Sequence, residues 1–200
     1  MYKSTILRIF VVFVVFMVSS CSNDDENPAP TPLGNYVEEN PYYGFLATVI
    51  PSATVQEFLW EPALSQEIGI AFTPTVNGML TSIETKLPFV NNNLSVHIWN
   101  YATHELLRTE TINVGLGGTI IKKNIEGINL QENTKYVISM TTHNWYRYTK
   151  NGGATISFPF TAGNVRIDQY VFGNFAGSFP ANTTSEYYEG ELSFSFLRTN

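Results

Sequence analysis

The feature that most constrains the fold of this chain is a succession of short apolar segments separated by turn signals, clearest in residues 68–100. IGIAF alternates large and small side chains, while MLTSIETKLP and LSVHIW place apolar residues at every second position. Asn77-Gly78 and the run Asn91-Asn92-Asn93 divide the three segments. Because a period of two is that of a half-buried strand and Asn-Gly is a strong hairpin signal, this stretch predicts three β-strands.

The same pattern continues along the rest of the chain. It predicts strands at residues 43–50, 55–60, 68–72, 79–88, 94–99, 106–114, 120–130, 134–142, 154–158, 165–172 and 192–197. No sustained helical period competes, and 14% of the residues are charged, against roughly 25% in ordinary soluble domains. Short strands with turns about every 8–12 residues predict an all-β fold, an antiparallel β-sandwich of jelly-roll type.

The N-terminus has the pattern of a secretory signal. Lys3 and Arg8 precede the apolar run IFVVFVVFMV at residues 9–18, and the small residues Ser19 and Ser20 follow it. A basic start, a short apolar run and small residues at the cleavage site are typical of such signals. The run is too short to span a bilayer, which takes about 20 apolar residues. We therefore expect residues 1–20 to be removed.

The tetrapeptide Val18-Ser19-Ser20-Cys21 resembles the lipobox of bacterial lipoproteins. The resemblance implies that Cys21, the only cysteine, becomes the lipidated first residue of the mature protein and anchors it to a membrane, since several acyl chains together bind stably. The alternative is a plain secretory signal that ends near a cysteine. The following run, SNDDE, resembles the signal that exports some Gram-negative lipoproteins to the cell surface; the alternative is a solvated tether.

These features divide the chain into a signal at residues 1–20, a lipidated tether at 21–41 and a β-sandwich domain at 42–200. Three prolines in NPAPTPL, residues 27–33, exclude helix and favour extended polyproline II conformation in the tether. The expected location is the bacterial outer membrane, with the domain exposed at the cell surface.

Within the predicted domain, residues 68–153 resemble a β-sandwich module of secreted bacterial proteins known as DUF4082. The matching pieces, in the family's order, are Phe72-Thr73-Pro74 with Asn77-Gly78, the strand LTSI at 80–83, VHIW at 96–99 followed by ELL at 105–107, and NTKYVIS at 133–139. The family's arginine-aromatic strand is replaced here by ETKL at 84–87. The resemblance implies a binding or accessory role and carries no catalytic residues.

Aromatic side chains supply the candidate ligand site. Trp145, Tyr146, Arg147 and Tyr148 follow directly after His143 and Asn144, and Trp99 ends an earlier predicted strand. Exposed rings can stack on the apolar face of a sugar, while neighbouring Asn, Arg and His side chains bond to its hydroxyls. The alternative is that Trp145 and Tyr148 cap the core at the edge of the sandwich.

Other chemistry is poorly supported by the sequence. The three histidines, His97, His104 and His143, lack the spacing of a metal site, so no metal and no cofactor is expected, and all three are expected at the surface. The acidic residues are scattered rather than paired for glycoside hydrolysis, and no nucleophile elbow occurs. Arg166 and Asp168 fall on one face of a predicted strand, as a structural ion pair would. A net charge of −6 without a basic cluster argues against a nucleic-acid partner.

The sequence therefore predicts a surface-anchored, non-enzymatic lipoprotein whose β-sandwich binds a ligand, most directly a carbohydrate. An alternative is a structural or adhesin-like component of a cell-surface protein assembly, which would bind through a sheet edge or an apolar patch. An enzyme with unrecognised residues is the third hypothesis.

Overall fold

The computed structural model describes residues 37–49 and 53–199. The signal, Cys21 and most of the tether lie outside these residues. At the start of the described chain, Glu39 forms a β-bridge with Phe196, and the Glu38 carboxylate lies 3.2 Å from Lys122 Nζ. No helix in the described ranges is long and apolar enough to cross a membrane.

The first element is a short helix, α1 (Pro41–Val49), where the sequence predicted a strand at 43–50. Asn40 caps it, because its Oδ1 accepts a hydrogen bond from Tyr43 N at 3.4 Å, and Pro41 occupies the first helical position. Tyr42 and Phe45, one helical turn apart, are fully buried. The strand prediction was wrong because a short apolar run is compatible with either structure, and the Asn-Pro start is the signal that separates them.

Thirteen β-strands follow within the described residues, all antiparallel to their partners. They are β1 (Ala53–Leu59), β2 (Gln66–Pro74), β3 (Gly78–Lys86), β4 (Asn91–Asn100), β5 (Leu106–Val114), β6 (Ile121–Leu130), β7 (Tyr136–Thr142), β8 (Asn144–Lys150), β9 (Phe160–Ala162), β10 (Val165–Gly173), β11 (Asn182–Thr184), β12 (Tyr188–Glu189) and β13 (Glu191–Arg198). Two short 3₁₀ helices, Pro62–Leu64 and Asn151–Gly153, lie between strands.

The strands form three sheets. The largest has the order β11-β10-β2-β7-β4-β5, with β9 paired to β10; the others are β13-β3-β6 and β1-β8-β12. Consecutive strands repeatedly change sheet, as β2, β3 and β4 do, which is typical of jelly-roll-like sandwiches. The prediction of an all-β antiparallel sandwich is confirmed.

The core lies between the sheets and joins all three. Ile68, Ile70 and Phe72 of β2 face Phe194 of β13, with the Phe72 and Phe194 ring centroids 4.5 Å apart. The alternation in the sequence therefore marks the inward side chains of β2 and β4 correctly. The predicted strand at 154–158 was wrong: Ile156 N bonds to Ser185 O, but Pro159 has no N–H to continue a ladder, and regular pairing begins at β9.

Five inter-strand segments meet at one end of the sandwich, which we call the loop end. The strand registers require this, because Leu59 pairs with Asn144, Gln66 with Thr142, and Asn91 with Val114. The segments are β1–β2, β3–β4, β5–β6, β7–β8 and β10–β11. Three hydrogen bonds join four of them: Trp60 N to His143 O at 2.7 Å, Gly118 N to Leu87 O at 2.8 Å and Phe89 N to Asn144 Oδ1 at 3.3 Å.

Candidate ligand-binding cleft

An open cleft of about 610 Å³ lies at the loop end. Its lining comes from the end of β1, the β1–β2 connection and the β7–β8 corner. The lining residues are Leu59, Trp60, Glu61, Pro62, Leu64 and His143. Glu61 is the only acidic or basic side chain among them apart from the imidazole of His143. The cleft is thus an apolar surface with one carboxylate and one imidazole, a composition suited to small organic ligands.

Local hydrogen bonds hold the β1–β2 side of the cleft in place. Pro62 begins the 3₁₀ helix Pro62–Leu64, and Ser65 closes it, with Ser65 Oγ donating to Pro62 O at 2.7 Å. Leu64 N donates to Glu61 O at 2.8 Å, and Trp60 N reaches across to His143 O. The backbone that carries Trp60 is therefore fixed on both sides.

Trp60 is the aromatic side chain of the cleft, with 38% of its surface exposed. It stands edge-on to Trp145, with centroids 5.0 Å apart and planes at 69°, and Trp145 stacks on Phe58 at 5.7 Å. Trp145 is fully buried beneath this layer. Trp145 packs under Trp60 and has no exposed face on which a sugar could stack. Its position therefore agrees with the alternative interpretation, in which Trp145 is a core residue at the edge of the sandwich.

The neighbours of Trp145 in the predicted aromatic site have their own partners. Tyr146 is buried, and the Lys86 ammonium lies 4.9 Å from the centre of its ring. Tyr148 is half-buried and its hydroxyl donates to the Glu191 carboxylate. Burial is the main cause that raises the pKa of Tyr148 well above its ordinary value, and the hydrogen bond to Glu191 is the second, so the phenol stays protonated.

Arg147 lies between two aromatic rings, with its guanidinium carbon 4.3 Å from the Phe58 ring centre and 4.4 Å from that of Tyr187. Its Nε donates to Glu189 Oε1 at 2.6 Å, and Glu189 also accepts from Tyr170 at 2.7 Å. Glu189 is buried, so the ion pair neutralises a charge inside the protein. Arg147 therefore stabilises the sheet β1-β8-β12, and it is not among the residues that line the cleft.

Trp99 and His97 are buried on the outer face of the large sheet, where the sequence predicted exposed side chains. The segment between β10 and β11 covers this face: the Phe179 ring meets Trp99 edge-on at 5.9 Å, and Gly177 N donates to Glu67 at 3.0 Å. The surface prediction for His97 was wrong because alternation identifies the two faces of a strand but does not reveal that a later segment covers the second one.

Glu67 is the centre of this covered face and is fully buried. Its Oε1 accepts from Ser139 Oγ at 2.6 Å and lies 2.8 Å from His97 Nδ1, while its Oε2 accepts from Thr141 Oγ1 at 2.5 Å. The carboxylate lies between the serine and the histidine, so His97 is not placed to take a proton from Ser139. The arrangement is a satisfied buried network that fixes the covering segment.

The part of the chain that the structure describes holds no group of side chains suited to a metal ion. Among these residues no three His, Cys, Asp or Glu side chains are grouped closely enough to hold a metal ion. Asp168 pairs with Arg166 Nε at 2.6 Å and accepts from Thr73 at 2.6 Å, which confirms the predicted structural pair.

Of the six predicted ligand residues, only His143 lines the cleft. Sequence reasoning missed Trp60, because the segment 55–60 was assigned to a strand and its last side chain was not considered separately. The signal was present in Trp60-Glu61-Pro62: a proline stop leaves the preceding aromatic residue at a strand end, where the side chain leaves the sheet.

Two comparisons with known proteins found no match for this chain. No protein-family model matches it, and no curated protein is significantly similar in sequence. The resemblances to the lipobox and to DUF4082 therefore stay predictions, and the function has to be argued from the cleft.

Proposed function

We propose that this protein is a surface-anchored, non-enzymatic lipoprotein, held in the outer membrane through Cys21, whose β-sandwich binds a carbohydrate in the cleft at the loop end. The observation that carries the proposal is the exposed, rigidly supported Trp60 ring beside His143 and Glu61. An indole offers an apolar face to a pyranose ring, and the imidazole and carboxylate can bond to its hydroxyls. Leu59, Pro62 and Leu64 exclude water around that contact.

A glycan-array screen tests this proposal. The chain from Ser22 onward is applied as the parent and as the Trp60→Ala variant. Leu107→Ala is the matched control, because Leu107 is as exposed as Trp60 and lies near the start of β5, away from the loop end. We expect the parent and Leu107→Ala to bind the same glycans and Trp60→Ala to lose them, with all three proteins giving the same thermal unfolding midpoint. Absence of binding by the folded parent across the array would reject the carbohydrate proposal.

A structural or adhesin-like role in a cell-surface assembly is the second candidate. It is favoured by the concentration of exposed apolar side chains in the loops around the cleft, for example Phe89, Leu116 and Phe175. In that case the glycan screen is negative, and Leu116→Ser lowers the amount of protein recovered in cross-linked complexes from intact cells.

A further inference from the structure

The loop end carries most of the large apolar side chains that the sandwich leaves exposed. Twelve such residues are exposed in the described part of the chain, and eight of them lie at the loop end: seven in the five segments that meet there and Leu59 at the end of β1. Leu59, Trp60 and Leu64 belong to the β1–β2 side, and Phe89 and Val90 to the β3–β4 loop. The chain thus concentrates at one end an apolar surface that a monomer would ordinarily bury.

The same surface continues into the remaining segments. Leu116 and Ile120 lie in the β5–β6 loop and Phe175 in the β10–β11 segment, and the exposed fractions of all eight side chains run from 38% to 76%. The hydrogen bonds from Gly118 to Leu87 and from Phe89 to Asn144 hold the loops side by side. The fold therefore groups these side chains at the loop end, and the pairing of Gly173 with Glu67 brings the segment that carries Phe175 to the same end. We call the eight side chains together the apolar loop surface.

The area of the apolar loop surface matches one half of a protein–protein interface. Taking about 200 Å² for each large side chain when fully exposed, the exposed fractions give on the order of 900 Å². A stable interface buries about 800 Å² on each partner, whereas an ordinary monomer exposes apolar patches of roughly 300–600 Å². A partner of equal area and equal apolar character is needed to cover it.

Charge narrows the choice of partner. Residues 59–65, 87–90, 115–120, 143 and 174–178 contain one formally charged side chain, Glu61, and no lysine or arginine. A surface without basic residues gains nothing from anionic lipid headgroups, and one acidic group opposes insertion into a bilayer. A second copy of the chain presents the same uncharged surface, and a two-fold rotation can bring Glu61 of one copy to the His143 imidazole of the other.

We propose that the apolar loop surface is a self-association site, at which two copies of this chain meet end to end about a two-fold axis. The described N-terminus does not obstruct this contact. Glu39 pairs with Phe196, and Phe196 pairs with Leu80 near the start of β3, whereas the loop end lies beyond the other end of β3, at Leu87. The first described residues, 37–39, therefore lie at the outer end of each copy. The inference does not depend on the ligand proposal, although a second copy seated here would cover the cleft.

Cysteine cross-linking of the full-length lipoprotein in intact cells tests this inference, because Cys21 is the only natural cysteine. Leu64→Cys, Phe89→Cys and Leu116→Cys place thiols in the surface, and Leu106→Cys is the matched control, an exposed leucine at the opposite end of β5. Cells that co-express two differently tagged copies are treated with a bismaleimide. We expect at least one loop-end variant to give at least ten times more product carrying both tags than the control or the parent.

Adding Val90→Glu to that variant places a charge in the contact and is expected to reduce the product at least tenfold. Three results overturn the proposal: no doubly tagged product from any loop-end variant, equal product from Leu106→Cys, or a heavier product that carries only one tag. The last result, or binding of the unlipidated chain from Ser22 onward to neutral lipid vesicles without cross-linking, assigns the surface to another partner.

Discussion

Trp145 separates the two interpretations of the aromatic segment most sharply, because a ligand residue and a core residue respond differently to truncation. The side chain is fully buried, stacked on Phe58 and in edge contact with Trp60. Trp145→Ala removes these contacts and leaves a cavity, which costs about 3–5 kcal/mol of unfolding free energy. With a urea slope of about 2 kcal/mol/M, the unfolding midpoint falls by roughly 1.5–2.5 M.

Trp145→Phe is the matched control. The indole N–H is buried and has no hydrogen-bond partner among the described residues, so a phenyl ring keeps the stacking and removes an unpaired donor. We expect Trp145→Phe to lower the free energy of unfolding by under about 1.5 kcal/mol. The assay is urea unfolding followed by far-ultraviolet circular dichroism. If Trp145→Ala unfolds within about 0.5 kcal/mol of the parent, as surface substitutions do, the placement of Trp145 in the core is refuted.

Further predictions concern the buried carboxyl groups of Glu67 and Glu191 and the exposed one of Glu38. Glu67→Ala leaves the donors of His97, Ser139 and Gly177 without their acceptor. It should lower the free energy of unfolding in urea by about 3–5 kcal/mol and speed amide exchange at Gly177. Unchanged exchange at Gly177 would contradict the role of Glu67. Burial raises the pKa of Glu191 above 4.5, so the stability it contributes is present below pH 4.5 and is lost as the pH rises through the raised value. The unfolding free energy of Glu191→Gln minus that of the parent should therefore grow over this range and level off above it. The Thr81 hydrogen bond lowers the pKa of Glu38, so the unfolding free energy of Glu38→Gln minus that of the parent should instead fall as the pH rises toward 4.5. Parallel pH curves for all three proteins would contradict both assignments.

The strands could be predicted from the sequence because alternation is a local property. In β4 the inward set Leu94, Val96 and Ile98 follows directly from a period of two, and all three are buried. The helix α1 could not be separated from a strand by its apolar run, because nine residues are too few to establish a period and its cap lies outside the run.

The second face of a strand was less predictable than the first. His97 and Trp99 alternate with the core residues of β4, which favoured exposure, but Phe179 and Gly177 cover them from a segment some 80 residues later. Nothing within β4 encodes that contact. The burial of Trp99 is thus a consequence of tertiary packing that a single sequence does not reveal.

The cleft was predicted only in part for the same reason. His143 was identified through its aromatic neighbours, yet those neighbours turn into the core and the exposed ring comes from Trp60, 83 positions earlier. The pairing of Leu59 with Asn144 brings the two together, and that register depends on the whole sheet β1-β8-β12. Sequence patterns predicted an aromatic site, while the sheet pairing decides which aromatic side chain is exposed at the cleft.

The central claim, that the cleft holds a carbohydrate against Trp60, is tested most directly by isothermal titration of the parent and of Trp60→Ala with the best glycan from the array. Loss of the indole face should weaken binding about tenfold or more, which corresponds to about 1.4 kcal/mol. The Leu107→Ala control should bind as the parent does. An unchanged Kd for a folded Trp60→Ala variant would contradict the account and place the ligand elsewhere on the sandwich.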